Sequence, residues 1–334
     1  MKIYNHIDEF KKLDNAVVTI GTFDGVHLGH QKIIGKLVEE AAKINGETVI
    51  LTFFPHPRMI LHPEDHQLKL INNMTEKAAL LSSLGVNHLI ITPFTRDFSN
   101  LSPENYIKDI LVDKIGTKTI IIGYDHRFGK DRRGSLKELQ HFSNTFNYKV
   151  EEIPEQDIND VTVSSTKIRE AILAGDVKTA HDFMGHPFSL TGKVIKGDQI
   201  GRTLGYPTAN LFIEENYKLI PSDGIYAVEV YVKSNRNKNQ IIGNPFYIST
   251  DDKLDTAEVQ KFRGMAYIGH RPTINGMSQN IEVNIFDFAD DIYHQHIQLD
   301  FLHFIRHDIK FENLEQLTAQ LAKDKIAVEK IFVS

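Results

Sequence analysis

The segment from Gly21 to His30, GTFDGVHLGH, constrains the fold more than any other part of the chain. It follows an apolar, β-branched run from Ala16 to Ile20. It leads into a helical pattern with one apolar face, formed by Ile33, Ile34, Leu37, Val38 and Ala41. Glycines let a backbone turn tightly and approach a ligand, and the free N–H groups of a helix start attract anions. A strand, a glycine loop and a helix in this order predict a phosphate-binding loop.

Two histidines of this segment, His27 and His30, lie three residues apart and can offer hydrogen-bond donors to the same phosphate. Two histidines on an ordinary amphipathic helix are one alternative, but that interpretation leaves the glycines unexplained. A zinc site is another, although no third ligand is nearby in the sequence.

The alternation of strand and helix continues through the first half of the chain. Apolar, β-branched runs predict five strands at residues 16–20, 48–54, 88–92, 119–122 and 148–153. Helical patterns lie between them, at 32–44, at 76–84 before Gly85, from Ser102 to Ile115 before Gly116, and from Ser135 onward. Strands that alternate with single helices predict a doubly wound parallel sheet, a Rossmann-like α/β fold whose ligands lie beyond the carboxyl ends of the strands.

The second half has a different pattern. Residues 161–185 are helical throughout, and from Phe188 short strands separated by turns are predicted at 189–194, 225–232, 264–268, 281–288 and 297–304. The polar segment 233–240 is predicted to be an exposed loop, and Glu312 to Ile331 a closing helix. These strands predict an antiparallel sheet or a small antiparallel β-barrel. A chain of 334 residues exceeds one ordinary core, so we expect two domains, at 1–186 and 187–334.

Composition excludes several classes of protein. The net charge of −6 argues against broad nucleic-acid binding, and no apolar run approaches the roughly 18 residues that a membrane span needs. The absence of cysteine excludes disulfides, thiolate metal sites and cysteine nucleophiles, which suits a reducing compartment. We therefore expect a cytoplasmic protein.

A second glycine-rich segment, from Gly192 to Asn210, has four glycines, two lysines and an arginine. It is a candidate phosphate loop that lacks the GK(S/T) ending of a Walker loop, and a barrel hairpin with structural glycines is the alternative. Thr208 and Asn210 are two residues apart, so in an extended segment both can offer oxygen to one Mg²⁺. That spacing is typical of a kinase.

The first glycine loop resembles the (H/T)xGH loop of nucleotidyltransferases, in the form found in the prokaryotic bifunctional riboflavin kinase/FMN adenylyltransferase family. Residues 53–58, FFPHPR, resemble a motif bordering the family's nucleotide site; residues 123–129, GYDHRFG, resemble GxDFxFG, with His126 replacing Phe; and residues 163–169, VSSTKIR, resemble (I/V)SSTxIR. The resemblance implies catalytic roles for His27 and His30. It implies ATP and phosphate contacts from Gly21, Phe23, Asp24, Gly25, His27, His30, Asp125, Ser164, Ser165, Thr166 and Arg169, and a site border of Phe54, Pro55, His56, Pro57 and Arg58.

The second half resembles the kinase part of the same family. Residues 201–210, GRTLGYPTAN, are similar to GRxxGxPTAN, and residues 264–273 and 281–293 are similar to two further motifs, with departures at Tyr267, Asn284 and His294. The resemblance implies that Glu282 is the catalytic base and that Thr208 and Asn210 bind Mg²⁺. It also implies ATP contacts from Gly192, Lys193, Gly201, Arg202, Thr203, Thr208 and Asn210, and flavin contacts from Arg271, Glu282 and Tyr293.

The resemblance therefore implies two reactions, riboflavin to FMN in the second domain and FMN to FAD in the first. ATP is the expected co-substrate and Mg²⁺ the expected metal, with no tightly held cofactor. The expected partners are riboflavin, FMN, FAD and ATP, without nucleic acid or membrane, and weak self-association is left open. One alternative is an adenylyltransferase whose second domain only binds flavin. Another is a class I aminoacyl-tRNA synthetase-like protein, because HLGH resembles the HIGH loop, although a KMSKS-like loop is missing.

Overall fold

A computed structural model of the chain describes residues 1–64, 68–154, 163–197, 200–233, 259–270 and 279–333. These residues form two compact units. The first unit contains the described residues of 1–69 and 77–164, and the second contains those of 70–76 and 165–333. None of the helices in the described ranges combines the length and the apolar character that a membrane crossing requires.

The first unit is built on a six-stranded sheet in which every neighbouring pair of strands is parallel. Its strands are β1 (Lys2–Tyr4), β2 (Ala16–Ile20), β3 (Glu47–Phe54), β4 (His88–Pro93), β5 (Thr117–Gly123) and β6 (Lys149–Ile153). Their order across the sheet is β1-β4-β3-β2-β5-β6. The predicted doubly wound parallel sheet is confirmed. The three-residue edge strand β1 was not predicted, because so short a segment shows no measurable periodicity.

Helices occupy the connections between these strands. They are Leu28–Lys43, Pro57–Leu61, Met74–Ser83, Arg96–Ser99, Pro103–Asn105, Tyr106–Ile115 and Leu136–Phe146. The helix predicted from Ser102 to Ile115 is divided into a short α-helical turn and the π-helix Tyr106–Ile115, which ends at Gly116 in the left-handed conformation. The sequence pattern does not distinguish a π-helix from an α-helix here, because over so few turns both bury the same apolar residues. π-helical segments are frequent at functional sites.

The side chains of successive residues in each central strand pack into different hydrophobic cores, because strand side chains alternate between the two faces of a sheet. Val18 and Ile20 pack with Tyr106, whereas Val17 packs with Ile34 and Leu37 of the first helix. Both faces of the sheet are therefore covered, and the loops at the carboxyl ends of the strands are where a ligand can reach it.

The second unit is built on a closed barrel of six antiparallel strands. They are β7 (Phe188–Ile195), β8 (Ala209–Phe212), β9 (Gly224–Lys233), β10 (Val259–Gly269), β11 (Asn280–Ile285) and β12 (His296–Arg306). The order around the barrel is β10-β11-β8-β7-β12-β9. The predicted antiparallel barrel is confirmed, and β8, which was not predicted as a strand, lies in the PTAN segment. Most of the predicted loop at 233–240 lies outside the described residues.

The predicted closing helix is observed at Leu314–Ile331. Its Val328 is buried against Ile225, Met265 and Phe286 of the second unit. Arg306, the last residue of β12, donates from Nε and Nη2 to the buried Asp324 carboxylate of this helix at 2.7–3.1 Å. The helices Ser165–Leu173 and Val177–Met184 belong to the same unit.

Candidate active sites

The glycine loop of the first unit connects β2 to the helix Leu28–Lys43 and is almost completely buried. Phe23, Asp24 and Val26 expose 2%, 1% and 0% of their surface. Phe23 and Val26 have positive φ angles of 47° and 38°, beside Gly25 at 86°. Positive φ in a β-branched residue is a strained conformation that persists only where the surroundings enforce it. Such strain is concentrated at functional sites, and here the buried surroundings hold the loop in this conformation.

Three side chains fix the carbonyl groups of this loop. Lys77 Nζ donates to the Thr22 carbonyl oxygen at 2.8 Å, and Thr52 Oγ1 donates to the same oxygen at 3.4 Å. Gln31 Nε2 donates to the Val26 carbonyl oxygen at 2.9 Å. The sequence reasoning did not select Lys77. A signal was present, because Leu80, Leu81 and Leu84 follow it by three, four and seven residues, which places a lysine on an apolar helix face.

His27 and His30 lie against each other at the start of the helix. His27 Nδ1 caps the helix by accepting from the His30 N–H at 3.4 Å, and the two rings stack with their centroids 3.6 Å apart. Burial lowers the pKa of His30 well below its usual value, and the charges of His27 and Lys77 lower this pKa further. His30 Nδ1 is enclosed, and no described residue hydrogen-bonds to it. A neutral imidazole can donate a hydrogen bond to a phosphate oxygen without carrying a positive charge.

A cleft of about 1050 Å³ lies at the carboxyl ends of the central strands of the first unit. Its aromatic wall is formed by Phe53, Phe94, Phe98, Tyr106, His126 and Phe128. Its cationic groups are Arg58, Arg96, Arg127 and Arg132. Gly21 and Thr22 also line the cleft, whereas His27 and His30 are not among its lining residues. Planar aromatic surface with several guanidinium groups suits a flat ring that carries phosphate.

The residues predicted to border the nucleotide site divide into two groups. His56, Pro57 and Arg58 line the cleft, and His56 Nδ1 accepts from the Arg58 N–H at 3.2 Å at the start of the helix Pro57–Leu61. Phe54 and Pro55 are not lining residues, and the neighbouring Phe53 takes that place.

The segment after β5 contributes Asp125 and His126 to the same cleft. The His126 ring stacks on Phe128 with centroids 5.9 Å apart. Burial lowers the pKa of His126 to about 4, so this ring is neutral at pH 7. A histidine at the family's Phe position therefore still provides a flat, uncharged ring.

The predicted serine and threonine contacts stay predictions. Ser164 is in the first unit, whereas Ser165, Thr166 and Arg169 lie in the helix Ser165–Leu173, which belongs to the second unit. Among the residues that the structure describes, no group of three or more His, Cys, Asp or Glu side chains is placed to hold a metal ion. The described residues therefore offer no ligand set for the zinc site considered as an alternative.

In the second unit, the predicted base and the predicted Mg²⁺ ligands lie together. Thr208 Oγ1 donates to Glu282 Oε2 at 2.9 Å, and Asn280 Nδ2 donates to Glu282 Oε1 at 2.6 Å. Asn210 of β8 is the direct cross-strand partner of Glu282 of β11. Directly paired residues have Cβ atoms about 5 Å apart. Thr208 and Glu282, which are 74 positions apart in the sequence, thus belong to one polar group.

Two cavities adjoin this polar group. One, of about 280 Å³, has an apolar part that includes Ile225, Met265, Leu317 and Leu321. Its polar lining consists of Thr208, Glu282, Asn284, Arg306 and Asp308, together with the hydroxyl-bearing Tyr206 and Tyr267. The other, of about 450 Å³, is lined by Arg202, Asp290, Asp291, Tyr293 and again Thr208. Thr208 lines both cavities, so the two cavities approach each other at this residue. Ligands bound in the two cavities can therefore come close together there.

The three departures from the family pattern have defined surroundings. Asn284 Nδ2 donates to the Pro207 carbonyl oxygen at 2.7 Å, which orients the peptide preceding Thr208. The Tyr267 hydroxyl donates to Asp308 Oδ2 at 3.1 Å, and both residues line the 280 Å³ cavity. His294 has a φ of 66°, a conformation that favours glycine. Asn284 therefore supports the site, and His294 carries backbone strain.

The remaining predicted kinase residues are distributed over several elements. Gly192 and Lys193 lie within strand β7, paired with β12, and are not in a loop. Gly192 is nevertheless required there, because an added Cβ would lie 2.6 Å from the Phe212 carbonyl oxygen. Gly201, Arg202 and Thr203 form most of the short helix Ile200–Thr203. Arg271 lies outside the described residues.

The chain thus has two candidate sites for nucleotide and phosphate transfer. One is the buried glycine loop of the parallel-sheet unit, and the other is the Glu282 carboxylate of the barrel. Comparison with known proteins specifies the family. The family model described as FAD synthetase matches residues 9–167, and the one described as riboflavin kinase matches residues 184–332. The chain belongs to the bifunctional riboflavin kinase/FMN adenylyltransferase family.

Curated relatives agree with this assignment. Bifunctional riboflavin kinase/FMN adenylyltransferase from Haemophilus influenzae is 34% identical over 96% of this chain and 96% of its own length. The Escherichia coli K12 protein of the same name is 33% identical over 96% of this chain and 93% of its own length. Among solved structures, one titled as a macrolide-efflux protein from Streptococcus pneumoniae has a TM-score of 0.79 and 31% identity, and covers 98% of each chain. That likeness shows that the whole two-unit fold recurs.

Proposed function

We propose that the barrel phosphorylates riboflavin to FMN and that the parallel-sheet unit joins FMN to the adenylyl group of ATP to give FAD. The family assignment supports both activities. The observation that carries the proposal is the hydrogen bond from Thr208 to Glu282, because it places a carboxylate beside the residue that lines both cavities of the barrel.

In the kinase reaction, the apolar part of the 280 Å³ cavity holds the flavin ring against Ile225, Met265 and Leu317. The 450 Å³ cavity holds the nucleotide, with Arg202 near its phosphates. Glu282 accepts the proton of the ribityl 5′-hydroxyl while that oxygen attacks the γ-phosphorus of ATP and the bond to ADP breaks. Thr208 and Asn280 hold the two carboxylate oxygens of Glu282 in place for this step.

Thr208 and Asn210 fit a magnesium ion by the chemistry of their donors. Mg²⁺ takes oxygen ligands, keeps several waters and binds through substrate phosphates, so Thr208 and Asn210 can supply its protein oxygens beside the Glu282 carboxylate. Gly197 leaves room for Asn210, because a Cβ added at Gly197 would lie 2.3 Å from Asn210 Nδ2. When bound, the ion neutralises phosphate charge at the point of transfer.

In the adenylyl transfer, the terminal phosphate oxygen of FMN attacks the α-phosphorus of ATP, and pyrophosphate leaves. His30 and the first N–H groups of the helix Leu28–Lys43 are the donors for ATP phosphate oxygens. The aromatic wall of the 1050 Å³ cleft and its arginines receive the flavin ring and the FMN phosphate. No covalent enzyme intermediate is needed, since Gly21 and Thr22 of the glycine loop line the cleft that receives FMN and so bring the two reactants together.

The decisive experiment incubates the purified chain with riboflavin, ATP and Mg²⁺ and separates the flavins by chromatography. We expect FMN first and then FAD, and expect chelation of the metal with EDTA to stop both. FAD from added FMN without any FMN from riboflavin would instead support the alternative in which the barrel only binds flavin. Absence of both products would overturn the proposal.

Two further predictions from the sequence are retained as proposals. The composition, with no cysteine, supports a location in the cytoplasm. The change of pattern near residue 186 supports a domain boundary there, close to where the riboflavin kinase family model begins at residue 184.

A further inference from the structure

Lys77 is a buried cation that the reactions described so far do not use. Only 2% of its surface is exposed, and it lies in the helix Met74–Ser83. Lysine is almost never fully buried unless its charge is compensated, because transfer of an ammonium group out of water is costly. Burial lowers the pKa of Lys77, and the nearby charge of Asp24 acts in the opposite direction. A buried lysine in this position therefore requires an explanation.

The ammonium group is directed at the glycine loop. Lys77 Nζ donates to the main-chain oxygen of Thr22 at 2.8 Å, and no ion pair within 4 Å joins it to a carboxylate of any described residue. Thr52, which is also completely buried, donates to the same oxygen from its hydroxyl. Two side chains from different elements thus hold one carbonyl group of the loop.

That carbonyl belongs to the peptide that enters the strained part of the loop. The next residue, Phe23, has a φ of 47°, and Val26 follows at 38°. Thr22 lines the 1050 Å³ cleft and Lys77 does not, so the bond directs the Thr22 oxygen toward a residue outside the cleft lining. A carbonyl oxygen that faced the cleft would repel phosphate, whereas one that is held away from it leaves N–H groups to meet the anion.

We infer that Lys77 is a positioning residue for adenylyl transfer: its ammonium group holds the Thr22 carbonyl away from the cleft and so keeps the loop in the shape that receives the triphosphate of ATP. This inference rests on the proposed function of the first unit. Lys77 acts through the loop and does not contact the reacting atoms. The donors proposed for the ATP phosphates, His30 and the first N–H groups of the helix Leu28–Lys43, directly follow this loop. The aromatic and arginine side chains proposed for FMN lie on other elements, so the effect is expected on ATP.

The test replaces Lys77 by methionine, an unbranched side chain one atom shorter than lysine that lacks the charge and the donors. In FAD formation from FMN, we expect Lys77→Met to raise the KM for ATP at least tenfold and to leave the KM for FMN within about twofold. FMN formation by the barrel of the same chain should be unchanged. Lys77→Arg, which keeps a cation and donors, should restore a large part of the ATP affinity. Lys118→Met, at an exposed lysine of the first unit, is the matched control and should change neither constant.

A purely structural role gives a different result. It would lower kcat with unchanged KM for both substrates, in proportion to the folded fraction measured by thermal unfolding. Lys77→Gln serves as a second neutral variant. If neither neutral variant folds, or if a folded one binds ATP as the wild type does, the inference is wrong. If the wild type itself makes no FAD, the proposed function is wrong, and the inference about Lys77 falls with it.

Discussion

In the first unit, Phe23, Asp24, Gly25 and Val26 of the nucleotide loop are buried, and two of the three positive φ angles there belong to residues other than glycine. In the second unit, the corresponding segment from Gly201 to Thr208 is exposed or half-buried, and its only positive φ, at 82°, belongs to Gly205. One loop is built as part of a core and the other lies on the surface.

The difference concerns how each site is held in shape. The first loop is fixed before any ligand arrives, by packing and by the bonds from Lys77 and Thr52, so the strain is carried by the fold. The second site is fixed at its strands, where Asn210 and Glu282 are cross-strand partners, and its loop is held by local backbone hydrogen bonds, such as those from Leu204 and Tyr206 to the Gly201 carbonyl oxygen. Substitutions should therefore act on the whole loop in the first unit and on single side chains in the second.

The largest expected effect in the barrel is that of Glu282→Gln. The amide cannot accept the proton of the attacking hydroxyl, so kcat for FMN formation should fall about 10²- to 10⁴-fold. Glutamine can still accept from Thr208 with its amide oxygen, and its amide nitrogen can donate to Asn280 once the Asn280 amide turns its oxygen toward it, so the site keeps both contacts. FAD formation from supplied FMN should remain at the wild-type rate, and its loss would show that the two reactions do not occupy separate sites.

The counterpart in the first unit is His30→Ala. Removal of the donor should lower FAD formation about 10²- to 10³-fold, which is the usual effect of losing one oxyanion donor. FMN formation measured on the same preparation is the control and should not change. Equal losses in both reactions, with normal thermal unfolding, would contradict the assignment of His30 to adenylyl transfer.

The barrel contains a buried acid, Asp300. Its carboxylate accepts from Ser189 Oγ at 2.8 Å and Gln298 Nε2 at 2.6 Å. Burial raises its pKa from 3.8 to about 6, with Glu229 and Glu76 adding to the effect. The folded state thus binds the proton more tightly, so this contribution to stability is complete below about pH 4 and is lost as the pH rises through 6.

Asp300→Asn should remove that dependence. At pH 8 the variant should be more stable than the wild type by about 3 kcal/mol, and at pH 4 the two should be alike. Urea unfolding at the two pH values, followed by a signal from the barrel, measures this difference. A variant that is less stable at pH 8 would show that Asp300 is stabilised as a carboxylate.

A matched pair of glycines tests the contrast between the loops directly. Gly25 and Gly205 have φ angles of 86° and 82°, so alanine at either costs about 1–2 kcal/mol of backbone strain. A Cβ at Gly205 would meet no atom within 4 Å. Gly205→Ala should therefore lower stability without altering either KM, whereas Gly25→Ala should also weaken ATP use in FAD formation. If Gly25→Ala and Gly205→Ala changed the two reactions to the same extent, the proposed difference between the loops would be wrong.

The smallest expected effect is that of His294→Gly. His294 is exposed and has a φ of 66°, so glycine relieves strain and at the same time adds conformational freedom to the unfolded chain. The variant should gain at most about 1 kcal/mol of stability, with kcat for FMN formation equal to or above that of the wild type. A tenfold fall in that kcat would assign the imidazole a direct role.

Local sequence patterns were sufficient where one short-range rule dominates. The strands β2, β3 and β4 were predicted within two residues, because buried parallel strands are continuous apolar runs. The stop of the π-helix at Gly116 was predicted for a similar reason, since glycine alone adopts its left-handed conformation without strain. The strand β8 was missed because it has only four residues and its pairing with β7 and β11 is set by distant partners.

The sequence alone determined the strand–helix alternation of the first unit, the change to short strands in the second and the residue types at both sites, since periodicity, glycine placement and motif spacing are local properties. The tertiary structure alone decided which of those residues meet. It placed Glu282 beside Thr208 and Asn210, put Gly192 and Lys193 inside a strand, and brought Lys77 to the Thr22 carbonyl. Such contacts depend on strand register and on packing between distant segments, which no short window of sequence contains.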